Sequence, residues 1–138
     1  METPRPSEAN ERPRNSVSAA ISNLTVRLLS EYTGRGPTKA RTYMQEDLIS
    51  VVLQDTLTKG ERSLADDGEA DHVLHTRKMY QRTMRAALVS GVEELTGRRV
   101  IAFLSDNHLN PDVGVETFVM EPRPGERSFN GEDGDVRE

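Results

Sequence analysis

The sequence has no cysteine. Disulfides, zinc–thiolate centres and thiol catalysis are thereby excluded, and nothing calls for an oxidising compartment. Long apolar runs are missing too. The longest is Val100 to Leu104, against the roughly 20 residues that a membrane-spanning helix needs. The opening residues, Met1-Glu2-Thr3-Pro4-Arg5-Pro6, lack a basic start followed by an apolar stretch, so no signal peptide is expected and the cytoplasm is the expected location. A basic excess is also absent: 18 Lys and Arg stand against 23 Asp and Glu, for a net charge of −5. Nucleic-acid binders ordinarily carry a basic excess or stripe, so nucleic acid is not an expected partner. Lysine itself is scarce, three residues against 15 arginines, and nothing in the sequence gives that bias a function.

What is present is unevenly distributed. Residues 1–16 and 121–138 hold five of the seven prolines but only four hydrophobic residues, Met1, Ala9, Phe129 and Val136. They read as disordered tails, the second of them acidic. Residues 17–120 have the composition of an ordinary folded domain and read as a single unit. Asn15 or Ser16 is positioned to cap a first helix, on which Val17, Ala20, Ile21, Leu24, Leu28 and Tyr32 form one apolar face. Gly34 ends it and Pro37 blocks continuation. Ala40 to Met44 reads as a strand, Gln45 to Asp47 as a turn and Leu48 to Leu53 as a second strand, apolar on both faces. A short helix is expected from about Thr58 to Ala65, capped by Asp55 or Thr56. A long one follows from Ala70 to Thr96, with Val73, Tyr80, Met84, Leu88 and Val92 on its apolar face and Arg77, Lys78, Arg82 and Arg85 on its basic face. Strands at 100–104 and 113–120 enclose a loop at 105–112. The expected fold is α+β: a two-layer, four-stranded, mainly antiparallel sheet with its helices on one face. Thr33-Gly34-Arg35 and Thr96-Gly97-Arg98 each close a helix before a hairpin. This reads as a doubled α-β-β unit, unless Thr-Gly is simply a common helix end.

Few residues suggest chemistry. In Gly34-Arg35-Gly36-Pro37-Thr38-Lys39-Ala40-Arg41, glycine-freed amides and three cations, Arg35, Lys39 and Arg41, make a candidate contact for an anion or an acidic partner, with Gly36 between them. The spacing is not that of a P-loop, and a helix cap followed by a solvated strand end paired to Glu46 or Asp47 is the simpler reading. Ser105, Asp106, His108 and Asp112 are a candidate ligand, metal or nucleophile cluster in a loop whose residue types also suit a plain turn. His72 and His75 stand three apart near Asp71, where a solvated helix start is the simpler reading. No convincing catalytic set emerges, and no cofactor or metal is expected. Two hairpins with free sheet edges also raise the expectation of a homodimer with a continuous sheet.

Three blocks, Glu31-Tyr32-Thr33-Gly34-Arg35-Gly36-Pro37-Thr38-Lys39, Glu93-Glu94-Leu95-Thr96-Gly97-Arg98-Arg99-Val100 and Ala102-Phe103-Leu104-Ser105-Asp106-Asn107-His108, resemble the MpsC family in order and spacing. The resemblance spans residues 16–122. It implies the small soluble component of a sodium-translocating, membrane-potential-generating system: an accessory or regulatory subunit, peripheral to the inner face of the membrane and partnered by membrane transport subunits without inserting itself. The alternative is a small-molecule-binding protein or enzyme using the 105–112 loop.

Overall fold

The computed structural model describes the backbone of residues 6–124 and the side chains from residue 16 onward. Of the expected tails, residues 1–5 and 125–138 lie outside the described residues. The element order is α1 (Pro6–Thr33), β1 (Lys39–Gln45), β2 (Leu48–Gln54), α2 (Lys59–Asp66), α3 (Ala70–Thr96), β3 (Val100–His108) and β4 (Val113–Met120). The strands form one antiparallel sheet in the order β1-β2-β4-β3, so β1 and β3 are its edges. The fold is α+β, as the alternating patterns imply. Among the described residues no helix is long and apolar enough to cross a membrane.

Several boundaries differ from expectation for local reasons. The first helix starts at Pro6 rather than at Asn15 or Ser16; proline suits a first helical position because the N–H it lacks would have no partner there. The short helix is capped by Thr58, not by Asp55 or Thr56. Thr58 and Glu61 bond each other's backbone N–H reciprocally in a capping box. Asp55 instead takes a left-handed conformation, φ 58°, where the chain leaves β2. Strand β3 runs on through Ser105, Asp106 and His108, so the expected eight-residue loop shrinks to a turn after His108. Ladder bonds to β4 override the polar composition there.

Strand alternation divides the sheet into two faces. Ile49, Val51 and Leu53 of β2 and Phe118 and Met120 of β4 are buried against Ile21, Leu24, Leu28 and Leu29 of α1 and Met84, Leu88 and Val92 of α3. Burying one such side chain contributes roughly 1.5–3 kcal/mol. The helices cross closely at Gly91, where an added Cβ would lie 2.5 Å from Leu24 Cδ2. Any side chain there would force Leu24 to shift.

The doubled α-β-β reading acquires a structural counterpart. One shift in numbering carries Thr33 to Thr96, Arg35 to Arg98 and Leu29 to Val92, and each threonine hydroxyl donates to its own helix, Thr33 Oγ1 to Leu29 O at 2.8 Å and Thr96 Oγ1 to Val92 O at 2.7 Å. Gly34 and Gly97 both take left-handed φ, 84° and 68°. At the sheet centre β2 and β4 pair about Val51 and Glu116. On either side of that point Asp55 N–H donates to Asp112 O and Met120 N–H to Asp47 O. The halves are thus related by a pseudo-twofold axis through the middle of the β2–β4 ladder.

Candidate functional site

The two loops expected to carry chemistry are placed very differently. Arg35, 35 % exposed, is committed to the chain itself. Its guanidinium donates to the carbonyls of Asp55 (2.6 Å) and Leu57 (3.1 Å) and to Asp55 Oδ2 (3.0 Å). Arg62 donates to Asp55 Oδ1 (2.9 Å) and Asp112 Oδ2 (3.3 Å), while Asp112 also accepts from Thr56 Oγ1 and Leu57 N–H. The Arg35 hydrogen bond is the main influence holding the Asp55 carboxyl below its ordinary value, against an opposing effect of burial. This corner is a clamp joining the end of α1 to the β2–α2 connection and the β3–β4 turn. The geometry gives Arg35 a structural task. At Gly36 an added Cβ would lie 3.4 Å from Val26 Cγ1.

Lys39 and Arg41 are exposed on the sheet face turned away from the helices. With Tyr43, Val52 and Gln54 they line a shallow depression of about 170 Å³. The surrounding face is open and partly apolar: Tyr43 is 55 %, Leu48 45 % and Leu104 58 % exposed.

Strand alternation separates the members of the 105–112 cluster. Ser105 turns inward and donates to Glu116 Oε1, whereas Asp106 and His108 are exposed. Asp106 accepts from Asn107 N–H, and His108 Nδ1 lies 2.8 Å from Pro111 O. Ser105 and His108 therefore form no nucleophilic pair. Among the described residues no three His, Asp or Glu side chains gather as a metal ion would require.

A polar cluster inside the protein has a different membership from the one expected. Arg77 is only 2 % exposed and belongs to the buried stripe of α3, not to its basic face. It donates to Glu61 Oε1 (2.6 Å) and Oε2 (3.0 Å) and to Thr56 O (2.6 Å). One helical turn on, Gln81 Nε2 lies 3.5 Å from Glu116 Oε2. Glu116 is 2 % exposed, and burial pushes its carboxyl up to about 7 despite the hydrogen bonds from Ser105 and Gln81 and the nearby Arg77 charge. A signal for these residues exists in the sequence. Glu116 alternates with Phe118 and Met120, and Arg77 and Gln81 fall in register with Val73, Met84 and Leu88.

Comparison with known proteins places the chain. The family model MpsC, described as a Na+-translocating membrane potential-generating system, matches residues 13–122. The chain belongs to the MpsC family. It is also similar to the uncharacterized protein YrhF of Bacillus subtilis (strain 168), 24 % identical over 103 residues, which covers 73 % of this chain and 84 % of that protein. No solved structure matches. The MpsC match takes in all four strands and both long helices from residue 13 onward, so the clamp, the open sheet face and the buried Glu116 cluster all lie within the family domain.

Proposed function

We propose that this protein is a non-catalytic accessory or regulatory component of a sodium-translocating system that generates membrane potential, working at the cytoplasmic side of the membrane by docking onto a membrane-resident subunit. The observation that carries this reading is the family match over residues 13–122. The absence, among the described residues, of any helix able to cross a membrane supports a docking role over a pore-forming one. The open sheet face is the docking surface, with Lys39 and Arg41 as contacts for acidic groups and Tyr43 as their apolar neighbour. Tyrosine and arginine are enriched in protein–protein contact surfaces relative to the rest of the surface.

Affinity capture from native membranes tests the reading. Capture of sodium-transport subunits by the wild-type chain, and its loss in Lys39→Glu/Arg41→Glu, is the expected result. Retention by the double variant would remove this face from the proposal, and failure to capture any transport subunit would remove the accessory role. A second reading, a homodimer pairing through a sheet edge, is favoured by β1 and β3 each having one unpaired side. Light scattering that finds only monomer at high concentration would eliminate it.

A further inference from the structure

The pseudo-twofold axis makes the two halves controls for one another, and they differ at the seam between the long helix and the edge strand. In the first half the seam between α1 and β1 is closed: Ser22 and Thr42 share a hydrogen bond of 2.7 Å and Ser18 donates to Met44 Sδ. The shift that carries Thr33 to Thr96 carries Ser22 to Arg85, Ser18 to Gln81 and Thr42 to Ser105. The axis through the ladder carries the fully buried Val51 to Glu116. In the second half the seam is open. Two adjoining cavities of about 370 and 210 Å³ run between α3 and edge strand β3, both bordered by Arg82, Arg85 and Phe103. Their combined size falls in the range of small-molecule sites.

The chemistry of the seam is graded. At its floor stand Gln81 and Ser105. Glu116, behind them, accepts the hydrogen-bond donors of both, Ser105 Oγ–H and Gln81 Nε2–H. Each of the two side chains keeps an acceptor oxygen, Ser105 Oγ and Gln81 Oε1, and Gln81 Nε2 keeps a second N–H. Gln81, 7 % exposed, has an Oε1 that is buried without any hydrogen-bond partner. An unpaired buried carbonyl calls for a donor. The rim carries Lys78, Arg82 and Arg85, and Arg85 is held over the Phe103 ring at 5.7 Å from its centroid. The acidic residue of the larger cavity, Glu93, is engaged by Val100 N–H at 2.9 Å. That cavity is otherwise mainly apolar, with Val89 and Ile101 among its walls.

We propose that the α3–β3 seam binds a small organic acid bearing a hydrogen-bond donor next to its carboxylate and an apolar tail, the chemistry shared by α-amino and α-hydroxy acids. The carboxylate lies on Arg82 and Arg85, the donor reaches Ser105 Oγ and, once the Gln81 side chain turns toward the cavity, its Oε1, and the tail occupies the apolar cavity. The seam lies at the β3 edge on the helix side of the sheet, whereas Lys39 and Arg41 lie on β1 and the other face, so this inference stands or falls separately from the docking reading.

Titration calorimetry of the full chain with leucine, 2-hydroxy-4-methylpentanoate and 4-methylpentanoate tests it. Binding of leucine, of the hydroxy acid or of both, about tenfold or more tighter than the acid without the donor, is the expected result, and whichever binds identifies the donor. Arg82→Ala/Arg85→Ala, at exposed positions that leave the core intact, should weaken binding about tenfold or more. Gln81→Met should abolish the preference for the donor-bearing acids. Absence of binding at millimolar concentrations by all three acids, equal binding of the acid lacking the donor, or unchanged binding by the arginine variant would each overturn the proposal.

Discussion

Glu116 allows a quantitative test of how the core is built. Its carboxyl is carried from an ordinary value of 4.5 up to about 7, chiefly by burial. The folded chain therefore holds a proton between these two values that the unfolded chain releases. Unfolding becomes progressively more favourable as the pH rises through that window, because the native state must either keep the proton or bury a charge. At about 1.4 kcal/mol per pH unit the full loss is roughly 3 kcal/mol, complete above pH 7 and absent below pH 4.5. Glu116→Gln keeps the shape and a hydrogen-bond acceptor for Ser105 but cannot ionise. Urea denaturation of both proteins at pH 5 and pH 8 isolates this group, since all other titrations cancel in the difference. The variant should gain about 2–3 kcal/mol on the wild type in going from pH 5 to pH 8. The Glu116 carboxyl carbon should titrate near 7 in an NMR experiment. Parallel stability–pH profiles for the two proteins, or a carboxyl that titrates near its ordinary value, would refute the reasoning.

Other substitutions probe the remaining contacts. Arg77→Ala strips Glu61 and Thr56 O of their buried partner and should cost about 3–5 kcal/mol by urea denaturation. Gly91→Ala drives a methyl group into Leu24 at the helix crossing and should cost about 1–3 kcal/mol, with partial recovery in Gly91→Ala/Leu24→Ala if the clash is the cause. The pseudo-equivalent arginines should not be equal. Arg98, with its side chain 12 % exposed and paired to Asp47, should lose about 2 kcal/mol on change to alanine, and the more exposed Arg35 about 1 kcal/mol or less. Thermal melts of the two variants should keep that order.

Much of the fold was legible because it is written locally. The helix ends at Gly34 and Gly97 follow from the ease with which glycine adopts positive φ. The hairpin between β1 and β2 follows from alternating strands around a short polar turn, and the repeated Thr-Gly-Arg already pointed to the doubled unit. The candidate site was less legible. Arg35 looked like a free cation because its partners at Asp55 and Leu57 lie in another connection. Ser105 to His108 looked like a loop because their polar side chains outweighed, in composition, the ladder that β4 provides. Arg77 looked like part of a wet basic face because its partner, Glu61, sits on a different helix.

By itself the sequence determined the fold class and the approximate elements. Periodicity, caps and glycine positions are short-range properties, read within one or two turns of chain. Only the tertiary structure decided the strand order, which depends on pairing between distant segments. It also decided which of the many charged side chains are buried and paired. Pairing of β2 with β4 sets Val51 opposite Glu116, so one half of a doubled scaffold has a dry core and the other a buried carboxyl beside an open seam.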